Sequence, residues 1–129
     1  MSWTKHILTT VSVVVLSMNP SFGIWKENAK AIDISGGEDH TLVLTSNKSV
    51  WACGPNGKPW YWSGVLGTGS SDTTLVQKTL VRVWDGDMNT PSDYLENIDD
   101  IDAGWEHSLA LDVNGFVWSW GWNSWGAAR

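Results

Sequence analysis

Two histidines stand beside acidic residues in this sequence, and such pairs are able to act as general bases or as metal ligands. His40 follows Glu38 and Asp39, and His107 follows Glu106. A histidine titrates near neutral pH, so a neighbouring carboxylate can tune it for proton transfer. The stretches around the two histidines resemble each other, however, and a residue that recurs at one place in each repeat is more simply a packing element. We therefore expect both rings to hydrogen-bond the backbone inside a folded repeat.

A second candidate site is the segment from residue 85 to residue 96, whose oxygen donors have the spacing of a calcium-binding loop. These donors, at positions 1, 3, 5, 9 and 12 of the segment, are Asp85, Asp87, Asn89, Asp93 and Glu96. Position 6, where such a loop has glycine for its sharp turn, is Thr90, and no helical pattern flanks the segment. The departures favour a solvated loop between strands, and we expect neither a metal nor another cofactor.

Cys53 is the only cysteine of the chain, so no disulfide within the chain can stabilise the fold. The sequence shows no group that would activate this thiol as a nucleophile. It also lacks a nucleophile-elbow motif, a pair of histidines at zinc spacing and a clear pair of catalytic acids. We therefore expect a protein that is not an enzyme, with a hydrolase as the least favoured reading.

Three consecutive aromatic residues, Trp60, Tyr61 and Trp62, lie in a loop between Pro55 and Gly64. A strand cannot bury all three, because alternate side chains point to opposite faces. Exposed aromatic rings stack on sugars or anchor a protein partner. The alternative is that they pack on a neighbouring sheet, among the eleven tryptophans that the fold must place. We take the three as candidate residues for binding a ligand or partner.

The elements that must position these residues occur twice. A shift of 67 residues places His40 under His107 and matches eleven of the 24 positions from 33 to 56. Besides the histidines, the matched glycines and tryptophans are Gly37, Trp51 and Gly54 in the first copy and Gly104, Trp118 and Gly121 in the second. Self-similarity at such a spacing indicates repeated supersecondary units that bury their apolar faces against one another.

Each copy predicts an antiparallel hairpin. In the second copy, residues 107–111 alternate as a strand with one buried face does, and residues 116–120 have the β-branched and aromatic content of a return strand. Between them, Asn114 and Gly115 tolerate the positive φ angles of a tight turn. Lys48 stands in the first copy where Gly115 stands in the second, so we expect the first turn to be looser.

These motifs, in this order, resemble the regulator of chromosome condensation repeats, which form β-propellers. The shared elements are His-Ser/Thr-Leu-x-Leu at 40–44 and 107–111, Val-Trp-x-x-Gly-x-Asn at 50–56 and 117–123, and Leu-Gly-x-Gly at 66–69. The resemblance covers about residues 31–126 and implies an all-β fold of antiparallel propeller blades. Some eukaryotic members of the family promote nucleotide exchange on a small GTPase, but no stretch here matches the loops that do so.

The N-terminus lies outside the repeats and has the pattern of a signal peptide. Lys5 and His6 precede an apolar run from residue 7 to residue 18, which Asn19 and Pro20 end, and Ser21 and Gly23 are small residues of the kind found at cleavage sites. The run is shorter than the roughly 20 apolar residues that a membrane span needs. We therefore expect a hydrophobic, signal-like helix at 1–23, cleavage near Gly23, and a secreted or cell-surface product that does not span the membrane.

The remainder, residues 24–129, is expected to hold two propeller repeats. They occupy about 31–83 and 98–129, joined by an acidic insertion loop at 84–97. A propeller closes with 4 to 8 blades, so two repeats predict an incomplete propeller. Its missing neighbours would be further repeats of a longer chain or other copies of this one.

The charge of the chain narrows the class of partner. Fourteen acids outnumber eight bases, and from residue 83 to residue 128 there are nine acids and no lysine or arginine. Such a field repels a phosphate backbone, so we expect no nucleic-acid binding. The favoured function is a binding module or scaffold for a protein partner. The alternative is a carbohydrate-binding module that uses exposed tryptophans.

Overall fold

The computed structural model describes residues 29–59, 64–86, 93–123 and 126. Within them the chain forms the strands β1 (Ala31–Gly36), β2 (Thr41–Thr45), β3 (Val50–Pro55), β4 (Val76–Arg82), β5 (Ile98–Ala103), β6 (His107–Asp112) and β7 (Val117–Gly121). They form two antiparallel sheets, β1-β2-β3-β4 and β5-β6-β7. The all-β class predicted from the repeats is confirmed, whereas the signal-like helix expected at 1–23 lies outside the described residues. None of the described segments contains a helix long and apolar enough to cross a membrane.

The two sheets have the same register, as the 67-residue shift predicts. Ala31 pairs with Thr45 at the start of the first sheet, and Ile98 pairs with Asp112 at the start of the second. In both sheets the pairing then shifts by one residue, at equivalent positions. A shift of this kind marks a β-bulge, which increases the local twist of the strand pair. The repetition of the bulge shows that the two copies fold alike beyond their matched residues.

Strand β4 was not among the strands that the repeat pattern predicts. It pairs antiparallel with β3, with Trp51 opposite Arg82, and completes a four-stranded sheet. Its middle residues Lys78 and Thr79 are both polar and exposed, so the strand lacks the alternation that marks a half-buried strand. Its position at the edge of the sheet explains that composition, because an edge strand has fewer neighbours to cover it.

The first hairpin turn is as tight as the second, so the expectation of a looser turn was wrong. Lys48 N donates to Thr45 O at 2.8 Å, and Gly115 N donates to Asp112 O at 3.0 Å. The φ angle is 65° at Lys48 and 87° at Gly115. Lysine therefore adopts the left-handed conformation that glycine adopts more readily.

Contacts with the second sheet hold Lys48 in this conformation. Its carbonyl oxygen accepts a hydrogen bond from Ile98 N at 3.1 Å. Its ammonium group pairs with Asp99 Oδ1 at 2.5 Å. Within the turn, Thr45 Oγ1 donates to Asn47 Oδ1 at 2.6 Å. These bonds offset the backbone strain at Lys48. The sequence pattern alone does not reveal them.

The main apolar core lies between the two sheets. Its members from the first sheet are Leu42, Leu44, Val50 and Ala52, and those from the second are Ile98, Ile101 and Ala110. Val65, Leu66, Val83 and Leu95 complete it from the connecting segments. A smaller cluster on the other side of the first sheet contains Val43 and Trp51. The pairing of the sheets therefore buries one apolar face of each sheet.

The acidic segment predicted as an insertion loop at 84–97 returns to the first sheet at both ends. Trp84 forms a β-bridge with Tyr94. Leu95, which is buried, donates its N–H to Val83 O at 2.9 Å. The two ends of the segment therefore form a short antiparallel pair.

Candidate functional site

The repeated glycines and histidines form one tight turn in each sheet. Gly37 N donates to His40 O at 2.9 Å, and Gly104 N donates to His107 O at 2.9 Å. Each glycine lies so close to the ring of its histidine that an added Cβ would overlap the ring. These turns place residues 37–40 and 104–107 side by side at one end of the two sheets.

His40 joins the sheets through its ring, a different contact from the one expected. Its Nε2 lies 2.9 Å from Ser108 Oγ, and Ser108 Oγ donates its hydrogen to Val65 O at 3.1 Å. Because that hydrogen is committed, His40 Nε2 is the donor to Ser108. Burial lowers the pKa of His40, and nearby His107 lowers it further, against the opposing effect of Asp39. The neutral ring is therefore the form that fits the core.

Two glycines at the ends of strands β3 and β7 allow the histidine turns to approach closely. Gly54 has a φ of 116° and Gly121 has a φ of 100°. A Cβ at Gly54 would lie 2.5 Å from Asp39 O, and one at Gly121 would lie 2.7 Å from Glu106 O. Both positions therefore require glycine for space as well as for conformation.

The two repeated tryptophans differ in burial. Trp51 is buried, with the Arg82 guanidinium 5.8 Å from its ring centroid. Trp118 is partly exposed, and its Nε1 donates to Asp112 Oδ2 at 3.4 Å. Arg82 belongs to strand β4, and the described part of the second sheet has no strand at the equivalent place. The fourth strand thus accounts for the difference.

A charged cluster lies where the two histidine turns meet. Lys58 Nζ pairs with Glu38, with Asp39 Oδ2 at 3.6 Å and with Glu106 Oε1 at 3.5 Å. The hydrogen bond between Lys58 and Glu38 lowers the pKa of Glu38 and raises the pKa of Lys58. Three carboxylates and one ammonium leave a charge of about −2 at neutral pH.

Trp105 extends this cluster with an exposed aromatic ring. Its side chain is 68% exposed, and Lys58 Nζ lies 5.9 Å from its ring centroid. Trp105 O accepts a hydrogen bond from Glu38 N at 3.1 Å, which fixes one turn against the other. An indole that is mostly in water while its backbone is held by the neighbouring turn is placed to contact a partner.

Charged and aromatic residues line a shallow, open cleft at this end. The lining consists of Glu38, Asp39, His40, Pro55, Gly57, Lys58, Val65, Trp105 and Glu106. We call this the turn cleft. Its carboxylates and indole can receive a cationic side chain through ion pairing and cation–π attraction. The sequence pattern identified the acids beside the histidines as candidate residues. It did not identify Lys58 or Trp105, because these two residues meet only where the two repeats contact each other.

The candidate residues Trp60, Tyr61 and Trp62 lie outside the described residues. They follow Lys58 and Pro59 directly in the chain. Their role in binding stays a prediction.

In the segment from residue 85 to residue 96, which was predicted to have the oxygen spacing of a calcium-binding loop, some of the oxygen donors make other contacts. Glu96 Oε1 accepts a hydrogen bond from Arg82 Nη2 at 2.6 Å, and Asp85 N donates to Asp93 O at 3.3 Å. Asp87 and Asn89 lie outside the described residues. Among the residues that are described, no group of three or more His, Cys, Asp or Glu side chains could hold a metal ion.

Cys53 lies half-buried in strand β3. Burial raises the pKa of its thiol, which keeps the thiol protonated and weakly nucleophilic at neutral pH. The sequence likewise shows no group that would activate this thiol.

Comparison with known proteins gives the same family for both copies. The model of the regulator of chromosome condensation (RCC1) repeat matches residues 31–58 and 98–126. No curated protein matches the chain significantly.

Two solved structures are similar to this chain in fold. Prp20p from Saccharomyces cerevisiae is 28% identical over 81% of this chain, with a TM-score of 0.58. Human WBSCR16 is 21% identical over 75% of it, with a TM-score of 0.56, and shows likeness of fold alone. The matched region amounts to 21% of each of those proteins, so this chain spans about a fifth of their length.

Proposed function

Because the chain contains two regulator of chromosome condensation repeats that fold as adjoining propeller blades, we propose that it is a non-enzymatic scaffold that binds a protein partner at the turn cleft. The observation that carries the proposal is Trp105, a mostly exposed indole beside Glu38, Asp39 and Glu106. Exposed aromatic residues flanked by charges are typical of protein-binding surfaces.

A relative supports this class of function. The solved structure of Prp20p is described together with its binding to Gsp1p and histones. We propose that this chain likewise binds protein, through the surface that its own two repeats build. Because the chain spans only a fifth of that relative, the partner is inferred from the chemistry of the turn cleft.

The charge of the cleft points to a basic partner segment. The cluster carries about two net negative charges, and the stretch from residue 98 to residue 128 contains further acids and no lysine or arginine. A lysine or arginine of the partner would pair with the carboxylates and lie over the Trp105 ring. The same field disfavours nucleic acid as a ligand.

The test is a fluorescence-anisotropy titration of the chain with a labelled arginine-rich decapeptide. We expect saturable binding that weakens with salt and falls about two- to fivefold in Trp105→Ala, the loss typical of one exposed cation–π contact. Phe116→Ala is the matched control, because Phe116 is 67% exposed but does not line the cleft. Equal binding by Trp105→Ala and the unmodified chain would refute the cleft as the binding site.

A second titration, with soluble oligosaccharides, distinguishes the alternative function, carbohydrate binding, from protein binding. Binding of a sugar that survives Trp105→Ala but is lost when Trp60, Tyr61 and Trp62 are replaced by alanine would favour a carbohydrate-binding module. The proposed scaffold predicts no such binding.

A further inference from the structure

The two sheets present related faces, which are defined by the histidine of each repeat. We call the face that carries the histidine and alternate residues beyond it the histidine face, and the other side the opposite face. The histidine faces carry His40, Leu42, Leu44 and Val50 in the first sheet and His107, Leu109, Leu111 and Val117 in the second. The opposite faces carry Ile34, Thr41 and Val43 in the first sheet and Ile101, Ser108 and Ala110 in the second. The core forms where the first histidine face meets the second opposite face.

Equivalent residues of the two histidine faces differ sharply in burial. Leu44 is 1% exposed, whereas Leu111 is 39% exposed. Val50 is 0% exposed, whereas Val117 is 69% exposed. The second sheet thus repeats the apolar pattern of a covered face, but no described residue covers it. Large exposed apolar side chains in such a cluster mark an interaction surface.

The first sheet presents the matching half of the same interface. Ile34 and Thr41, only half-buried, stand where Ile101 and Ser108 stand in the second sheet. Ile101 and Ser108 are the buried residues that receive the first histidine face. The chain therefore displays an uncovered histidine face on the second sheet. On the first sheet the opposite face is half-buried at Ile34 and Thr41, while Val43 of that face is already buried under its own sheet's side chains.

We propose that the histidine face of the second sheet binds the opposite face of the first sheet on a second copy of this chain. His107 would donate to the Thr41 hydroxyl of that copy, as His40 donates to Ser108. Leu111 and Val117 would pack on its Ile34, as the first histidine face packs on Ile101. Continuity with the internal interface identifies the occupant, because each contact has a counterpart 67 residues away.

Polar groups at the rim are also complementary. Inside the molecule, Ser35 Oγ accepts a hydrogen bond from Ala103 N at 2.9 Å and lies 3.3 Å from Asp102 Oδ1, to which it donates. At the proposed contact, Asp102 takes the place of Ser35 and faces Ser35 and Gly36 N of the second copy. A carboxylate there can accept from the Gly36 amide, while the Ser35 hydroxyl of the second copy keeps its bond to its own Asp102.

This contact joins different surfaces, so it propagates from head to tail. A heterologous contact closes into a ring when its rotation allows and otherwise extends as an open chain of copies. The contact is weaker than the internal one in one respect. Val65 O accepts from Ser108 Oγ and from Trp120 Nε1 at 2.8 Å, and the described part of the second repeat has no turn equivalent to the one carrying Val65.

The first test is sedimentation velocity on the full 129-residue chain over a range of concentrations. We expect reversible association, and we expect Val117→Asp to reduce it at least about tenfold, because a buried unpaired charge opposes the contact. Val113→Asp is the matched control. Val113 is also exposed, and its counterpart Ser46 stays exposed although the first histidine face is covered. Its association should equal that of the unmodified chain.

The second test mixes two variants. Thr41→Lys damages only the opposite face of the first sheet, and Val117→Asp damages only the histidine face of the second. Neither variant can extend a head-to-tail chain alone, but a mixture retains one intact pair of faces and should form a 1:1 dimer. The thermal transition of each variant, followed by circular dichroism, checks that it is folded.

Three outcomes would overturn the proposal. They are a chain that remains monomeric up to about 1 mM, association that Val117→Asp and Val113→Asp weaken alike, and a mixture of the two face variants that forms no dimer. The turn cleft does not include Val117 or Thr41, so these results are independent of peptide binding.

Discussion

His40 and Ser108 hydrogen-bond across the boundary between the two sheets, with Nε2 and Oγ 2.9 Å apart and both residues buried. Replacing His40 by alanine removes this bond, leaves Ser108 with one partner fewer and opens a cavity. We expect His40→Ala to lower the free energy of unfolding by about 2–4 kcal/mol. Urea denaturation followed by tryptophan fluorescence measures the change.

His107→Ala is the matched control for that variant, because His107 occupies the same place in the second repeat but is only half-buried. We expect it to lower the free energy of unfolding by less than about 1 kcal/mol. Equal losses in the two variants would contradict the role of the bond between the sheets.

The stability of the chain should fall in mild acid because of His40. Its pKa in the folded protein is lowered from 6.5, first by burial and then by His107, so the unfolded chain binds the proton more readily. Its contribution is complete above pH 6.5 and is lost as the pH falls through 6.5 toward the folded pKa. Denaturation curves at several pH values should show a steeper decline for the unmodified chain than for His40→Gln. Parallel declines would exclude His40 as the source.

The left-handed conformation of Lys48 predicts an unusual order of substitutions. Lys48→Gly relieves the strain but loses the ion pair to Asp99 and loosens the unfolded chain, so we expect a change within about 1 kcal/mol. Lys48→Val places a β-branched side chain at φ 65° and should destabilise by about 2 kcal/mol. Thermal denaturation of both variants tests the order. A valine variant as stable as the glycine variant would mean that the turn rearranges.

The segment from residue 85 to residue 96 should not bind calcium appreciably. Its last acid, Glu96, is paired with Arg82, although position 12 of a calcium loop must supply a free bidentate carboxylate. Isothermal titration calorimetry should give no binding with a dissociation constant below about 1 mM. Binding that the double variant Asp85→Ala, Glu96→Ala abolishes would establish the site after all.

The N-terminal pattern predicts export and cleavage near Gly23. N-terminal sequencing of the mature product should begin close to Ile24, since the apolar run and small residues before it fit a signal peptidase site. A product that retains Met1 in the cytoplasm would contradict the prediction.

The repeat pattern predicted the hairpins well, because both the alternation of buried residues and the turn positions are local properties. Strands β2, β3, β6 and β7 lie within a residue or two of the expected positions. The contact between His40 and Ser108 was not predictable in the same way, since the two residues lie 68 positions apart in the chain. The same is true of Lys58 with Trp105. Residues from different repeats meet there only because the two sheets pack.

The tight turn at Lys48 was not predicted for another reason. The comparison of Lys48 with Gly115 takes account only of residues within the turn. The conformation is held partly by Ile98 N and Asp99, which belong to the other repeat. Local propensity is a weak guide where distant groups supply the compensating bonds.

Gly37 sets the spacing of the two sheets at the end that carries the turn cleft. A Cβ there would meet the ring of His40 and would also lie 2.7 Å from Gly104 O, the backbone of the equivalent turn in the next repeat. The backbones of the two histidine turns are thus in contact because residue 37 has no side chain. Any side chain at this position would displace the histidine and widen the angle between blades together. One residue therefore governs both the integrity of a repeat and the curvature of any ring that such repeats could form.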